Sequence, residues 1–346
     1  MSATIGRPGL GKTGHGAGES LDMVTADRML EQYEREPLRV RYIGADPIEE
    51  IERRFAAACA FRSIRREQVE GRLFTNSTLD LPTIHLAQQG AKGVATNEAA
   101  VDALVSKLIA QKIDVLILDP LIKFHAVNES DPAAMEVVMR ALSNVASRAQ
   151  VAIDVLHHIR KQPAGTSGSA TVDDGRGASS IIAAVRSARV LNPMTAQEAD
   201  RAGIAEGDRW RYVRLDNGKA NMAPPAAARW LQHASELLPC GESVGVVASW
   251  QFPDAFAGFS ANDLPRIREL ARTGTHRSDP RSPDWFGVAV AEMIGADLDN
   301  KRDRARVSQM IKSWLKTKVL DVERRPDEQR KEREYIVPGP YSEAAE

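Results

Sequence analysis

The chain has 346 residues, 43% hydrophobic and 27% charged, with a formal net charge of −1. That size and balance fit a globular protein of two or three domains with a substantial core. They exclude a uniformly basic nucleic-acid binder, so any such contact needs a local patch. No apolar run approaches about 18 residues, which leaves no candidate membrane span.

The first element expected is a short strand, Ala3-Thr4-Ile5. It runs straight into Gly6-Arg7-Pro8-Gly9-Leu10-Gly11-Lys12-Thr13, an unbroken G-x-x-x-x-G-K-T. Glycines at this spacing let backbone N–H groups turn inward around the β- and γ-phosphates of a nucleotide. The lysine adds a positive charge to them, and the threonine hydroxyl can ligate Mg²⁺. Gly6, Gly9, Gly11, Lys12 and Thr13 are therefore the candidate nucleotide-binding residues, and ATP with Mg²⁺ the candidate ligand. The abrupt start leaves no room for a leader peptide, so a cytoplasmic location is expected. Cys59 and Cys240 lie far apart, outside any metal-ligand spacing, and read as buried free thiols. Gly14-His15-Gly16-Ala17-Gly18 follows Thr13, and each interior glycine costs about 0.5–1 kcal/mol, so fraying of the following helix is expected.

Residues 38–44 alternate as a second strand, and Asp46-Pro47 opens a helix that runs to about Ala60. A short strand is possible over Leu81 to Ala87. Residues 97–111 read as an amphipathic helix burying Ala100, Leu104, Leu108 and Ile109. Ile113 to Pro120 is a buried strand ending in Asp119. Met135 to Arg148 is a periodic helix, and Val151 to Leu156 a buried strand that delivers His157 and His158. Alternating strands and helices with apolar runs predict an α/β fold, a mostly parallel sheet flanked by helices.

Residues 162–180 form a long, polar, glycine-rich loop of the kind that is usually functional in a compact domain. A helix near Ile181 to Ser187 and strands near Arg189–Leu191 and Arg209–Leu215 follow. Asn217-Gly218 is a turn signal, residues 224–233 leave the core through Pro224-Pro225, and Val244 to Trp250 is a late strand. Residues 272–284 read as a linker. Helices over Trp285 to Ile294 and Lys301 to Thr317, then a hairpin of Val319–Val322 with Glu334–Val337, predict a small winged-helix-like domain. Residues 301–335 carry twelve Lys/Arg against seven Asp/Glu, a net of +5. The expected domains are thus 1–233, a connecting segment 234–284, and 285–346.

Asp119 ends its strand where a nucleotide-hydrolysing domain needs a rigid carboxylate for Mg²⁺. His157 and His158 should emerge at the carboxyl edge of the same sheet, where ligands bind in such folds. There one of them can sense the γ-phosphate or the attacking water. Arg186 and Arg189 follow the long loop, in position for an arginine finger to a neighbouring subunit's γ-phosphate. Phe124, Trp210 and Trp250 could stack on bases, but single aromatics near strands are more often core, so none is taken as a site residue.

These segments form one ordered set: Gly6–Thr13; Leu118-Asp119-Pro120-Leu121 with Phe124-His125 and Glu129-Ser130-Asp131; Val155 to Lys161; Arg176-Gly177-Ala178-Ser179-Ser180; and Ala184-Val185-Arg186. The set resembles the RepA-type hexameric replicative helicases of plasmids and phages, a branch of the RecA-like ATPases, over roughly residues 1–220. The resemblance implies a RecA-like ATPase domain, with Lys12 and Thr13 on phosphate and Mg²⁺ and Asp119 on the metal. It further implies His157 or His158 as sensor, Arg186 as finger, and the 162–180 loop facing DNA inside a homo-hexamer. Members of that family carry a Glu-Asp pair after the second strand, the Glu poised to activate water. Here the segment reads Gly44-Ala45-Asp46-Pro47, so Asp46 is the candidate substitute. General-base catalysis contributes about 10²–10⁴-fold, so turnover should suffer. A second expectation is therefore a nucleotide-gated DNA-binding or loader protein with little turnover, and a third is a small-molecule kinase.

Overall fold

A computed structural model describes residues 1–26, 30, 36–80, 84–91, 93–158, 178–220 and 228–340. Most of the 162–180 loop, with Arg160, Lys161, Arg176 and Gly177, lies outside the described residues, as does Pro224-Pro225. The chain divides into two compact units, Met1–Pro193 with Trp210–Gln251, and Met194–Arg209 with Phe252 onward.

In chain order the elements are β1 (Ser2–Gly6), α1 (Lys12–Thr25), β2 (Val40–Gly44), α2 (Ile48–Phe61), the single turn α3 (Arg66–Val69) and β3 (Leu73–Ser77). Next come the hairpin β4 (Ala87–Gly90) and β5 (Gly93–Thr96), α4 (Glu98–Ala110), β6 (Val115–Asp119), α5 (Pro132–Ala149) and β7 (Ala152–His158). The first unit continues with α6 (Ala178–Ala184) and β8 (Ser187–Pro193). After α7 (Ala196–Ala202) of the second unit it ends with β9 (Tyr212–Ala220), β10 (Arg229–Leu237) and β11 (Ser243–Trp250). The nine strands of its main sheet run in the order β11-β10-β9-β8-β1-β7-β6-β2-β3. The six from β8 to β3 are parallel, while β9, β10 and β11 pair antiparallel.

The apolar runs reflect burial on both faces, because successive strand residues point to opposite sides. In β6, Leu116 and Leu118 join one core cluster with residues of α4 and α5, while Val115 and Ile117 join the other with α1 and α2. Asn97 caps α4 by accepting from the Ala100 amide at 3.2 Å, and Asp131 caps α5 ahead of Pro132. The buried stripe of α4 is Val101, Leu104, Val105 and Leu108. Ala100 is only partly buried against the core and Ile109 is 55% exposed, so the predicted face is rotated by about one residue.

Other expectations change for identifiable reasons. The glycines of α1 do not fray it: the helix is continuous over Lys12–Thr25, with every residue from His15 to Val24 buried. A Cβ at Gly14 would stand 2.8 Å from Val247, and one at Gly18 would stand 2.6 Å from Leu30. The missing side chains are what let the helix lie this close to its neighbours. Asn217-Gly218 is no turn but lies inside β9, at a bulge where the pairing slips between Ala188 and Arg189. Residues 229–233 do not leave the core; they belong to β10. Cys59 is half-buried and Cys240 exposed, so only the former approaches the expected burial. Edge strand β3 carries weak alternation and was not predicted.

Arg189 is not available as a finger. It lies among β1, β7 and α1, donating to Glu19 Oε2 at 2.9 Å and Thr4 Oγ1 at 2.8 Å, and lies 3.4 Å from Asp154 Oδ2. Burial, the largest single cause, opposes ionisation of Glu19, but the charge and hydrogen bond of Arg189 together with His15 and Arg229 outweigh it and hold the carboxyl down at about 2. His15 is fully buried, and that burial lowers its pKa to about 4, keeping it neutral.

The second unit packs α7, α8 (Leu264–Arg272), α9 (Phe286–Ile294), α10 (Lys301–Lys316) and the hairpin β12 (Leu320–Pro326) with β13 (Glu332–Pro338). Helices followed by a hairpin match the small domain expected, around Trp314, Phe256 and Phe259. Its limits differ from the expected ones: residues 234–251 complete the main sheet, and 252–284 belong to this unit. The 272–284 stretch is no linker, since Arg277 bridges Tyr335 and Trp285 and the Ile336 amide donates to His276 O. Several of the basic residues are engaged within the unit. Arg306 donates to Ala255 O, Arg324 pairs with Glu334, Arg333 with Asp327, and Arg325 lies over Tyr335.

Candidate functional site

The site is built from the carboxyl ends of parallel strands. Register places Gly6 opposite His158 and Ile5 opposite His157, Leu118 opposite Val155, and Gly44 opposite Asp119. The turn after β1, the Asp119 carboxylate, both histidines and the Ala45-Asp46 turn thus share one edge of the sheet.

The loop between β1 and α1 has Gly9 at φ 81° and Gly11 at φ 77°, a left-handed backbone that favours glycine. Gly11 is the residue capping α1. No side chain caps the helix and no acidic residue sits in its first turn, so its amides and dipole present a site for an anion. Lys12 is 4% exposed and its Nζ donates to Gly6 O and Arg7 O, both at 2.8 Å. Burial brings the ammonium down to about 8, against the opposing pull of Asp119. A buried cation whose hydrogen bonds among the described residues go to loop carbonyls is a site suited to an anion.

Thr13 follows, half-buried in the first turn of α1. Asp119 is buried and accepts a short hydrogen bond from the Tyr42 hydroxyl. Burial first, and the carboxylate second, push the Tyr42 phenol well above its ordinary value, so it remains a donor. That bond fixes the carboxylate while leaving it further acceptor capacity. If Mg²⁺ binds with a nucleotide, Thr13 and Asp119 are the residues that would hold it, with oxygen donors of the kind the ion prefers. Among the described residues no cluster of three or more His, Cys, Asp or Glu could hold a metal by itself.

His157 is buried and His158 exposed. Burial is the main cause lowering both pKa values, with Lys12 adding to each, so both rings are neutral at pH 7. Glu129 was not among the predicted site residues. Its Oε1 lies 3.7 Å from His157 Nδ1 and 3.6 Å from His125 Nε2, a carboxylate between two imidazoles behind the loop. Its place in the ordered motif set, beside His125, was the available signal.

Two predicted residues stand apart. The Asp46 carboxylate is turned to α2 and accepts from Arg54 Nη1 at 3.0 Å, while its backbone oxygen accepts from Ser77 Oγ at 2.7 Å. Arg186 is exposed at the start of β8, its amide donating to Met1 O at 3.0 Å. That is the opposite edge of the sheet from Gly6, so Arg186 does not join the loop of its own chain.

Residues 1–164 match the family model of the AAA domain. Among solved structures, a DnaB-like replicative helicase described with its primase interactions aligns at 12% identity and a TM-score of 0.46, over 68% of this chain and 57% of that one. The RadB recombinase aligns at 10% identity and a TM-score of 0.41, over 69% of this chain and 88% of that one. The chain thus spans little more than half the length of the helicase. No helix among the described residues is long and apolar enough to cross a membrane.

Proposed function

We propose that this chain is a RecA-like ATPase that binds ATP with Mg²⁺ at residues 6–13 and acts on DNA, as a replicative-helicase-type protein of a mobile element. The observation that carries the reading is the convergence of buried Lys12, Tyr42-bound Asp119 and His158 on the end of β1. The AAA-domain match over residues 1–164 supports the nucleotide part. Gly6, Gly9, Gly11 and Lys12 hold phosphates, and Thr13 and Asp119 hold the metal. His157 or His158 senses the γ-phosphate, and Asp46 is the candidate to activate water, a role that requires its carboxylate to leave Arg54. Arg186, on the far edge, serves a neighbouring subunit's nucleotide, which makes a homo-oligomer, a hexamer by the family resemblance, and a cytoplasmic location part of the proposal.

One observation favours a second reading, a nucleotide-gated DNA-binding protein with little turnover. Ala45 stands where the activating Glu is expected, and Asp46 is engaged by Arg54. Both readings require nucleotide and DNA binding to be coupled. The test is single-stranded DNA affinity across a salt series, with and without a non-hydrolysable ATP analogue. Affinity should fall as salt rises, because phosphate contacts release counterions, and should change with nucleotide. A flat salt response, or no effect of nucleotide, refutes the DNA half of the proposal.

A further inference from the structure

The loop that would hold the phosphates has an aromatic neighbour that no part of the reading above uses. Trp210 is 69% exposed, an unusual state for the largest apolar side chain. Its ring stacks on His233, with centroids 6.4 Å apart and planes 25° from parallel. His233 in turn packs on the phosphate loop: a Cβ at Gly11 would lie 2.4 Å from His233 Cε1. Pairing registers explain the meeting. Gly6 pairs with Leu191, Leu191 with Leu215, and Pro193 with Val213, so the start of β9 reaches the same sheet edge as the loop. Gln232 pairs with Tyr212, which brings the next residue of β10, His233, to that edge too.

The geometry points to Trp210, backed by His233, as the stacking platform for the base of the nucleotide whose phosphates the loop holds. This rests on the proposed nucleotide site and adds to it the residue that recognises the base. Three features favour it. The indole is largely exposed, the imidazole beside it bridges to the left-handed Gly11, and burial lowers the His233 pKa, so a neutral ring supports the stack. Phe124 lies wholly buried, and Trp250 is held in the edge cluster of Tyr212 at 4.8 Å and Trp230 at 5.8 Å. Stacking reads a π-face and not a hydrogen-bond pattern, so the platform accepts ATP and GTP alike.

The test is binding by calorimetry of ATP, GTP and inorganic tripolyphosphate, each with Mg²⁺, to the full chain and to its Trp210→Ala and Trp210→Phe variants. Base–aromatic stacking should make Trp210→Ala lose about tenfold or more in affinity for both nucleotides and little for tripolyphosphate, with Trp210→Phe restoring most of the loss. Equal losses for all three ligands, or none for the nucleotides, overturn the platform while leaving the phosphate loop intact. Failure of the unsubstituted chain to bind either tripolyphosphate or ATP overturns the nucleotide site itself, and the platform with it. Oligothymidylate is measured without nucleotide on the same variants. A loss there, with ATP binding unchanged, assigns Trp210 to a DNA base and refutes the inference.

Discussion

Lys12 gives the nucleotide site a pH signature. Its pKa is lowered to about 8 in the empty loop by burial, against an ordinary value of 10.5. A bound polyphosphate supplies the missing counter-charge and returns the ammonium to at least its ordinary value. Between those two values the liganded protein holds a proton that the empty one has lost, so binding must take one up. Affinity for Mg-ATP should therefore fall about 30-fold between about pH 7 and about pH 9.5, roughly 2 kcal/mol, with uptake rising from about 0.1 to about 0.9 proton. Calorimetry in two buffers of different ionisation enthalpy measures both quantities. Lys12→Arg, whose guanidinium stays charged throughout, should give a flat profile. The same linkage makes the empty protein gain stability as pH rises through about 8 to about 10.5, because there the unfolded chain binds more protons than the folded one. An affinity constant over this range, with no buffer-dependent heat, would refute the argument that phosphate replaces the loop carbonyls around Lys12.

Arg189→Met leaves Glu19 and Asp154 buried without their shared cation and should cost about 3–5 kcal/mol in urea unfolding followed by circular dichroism, with Glu19→Gln recovering part of it. A cost below about 1 kcal/mol would contradict the assigned network. Asp119→Asn should weaken the Mg²⁺-dependent part of ATP binding about 10- to 100-fold and leave metal-free binding nearly unchanged, read by titrating Mg²⁺ at fixed nucleotide. Gly11→Ala forces a left-handed alanine against His233 and should lower stability by about 1–3 kcal/mol in thermal unfolding, with nucleotide affinity falling too. Trp314→Ala removes the centre of the Phe256–Phe259–Trp314 cluster, worth about 3–5 kcal/mol. Hydrogen exchange should show lost protection in α10 and β12–β13 while β1 and β7 keep theirs.

The sheet was legible because its central strands carry strong local signals. Val115 to Leu118 reads as a continuous apolar run, and Val151 to Leu156 as one broken only at Asp154. Both are buried apart from Ala152, and each delivers polar residues, Asp119 or His157 and His158, at the end that matters. What sequence could not give was set by distant contacts. The glycines of α1 are unfavourable by propensity and favourable by fit, and the fit depends on Val247 and Leu30. Arg189 looks like a surface arginine until Glu19 and Asp154 are brought to it from two other elements. Asn217-Gly218 has the composition of a turn but is absorbed as a bulge by pairing with β8. His233 reaches Gly11 from more than 200 residues away, and no local pattern marks it. Glu129 was in view within its motif, yet its role beside His125 and His157 needed β6 and β7 to be placed side by side.

Central to the proposed function is that the loop at residues 6–13 drives nucleotide chemistry in response to DNA. The most direct measurement is phosphate release from ATP with and without single-stranded DNA, beside Lys12→Ala. Release that DNA stimulates and Lys12→Ala abolishes is the predicted result, and loss of that release in Asp46→Asn would mark Asp46 as the activating carboxylate. Tight ATP binding without release would support the nucleotide-gated reading. Release that persists in Lys12→Ala, or an absence of ATP binding, would contradict the site proposed here.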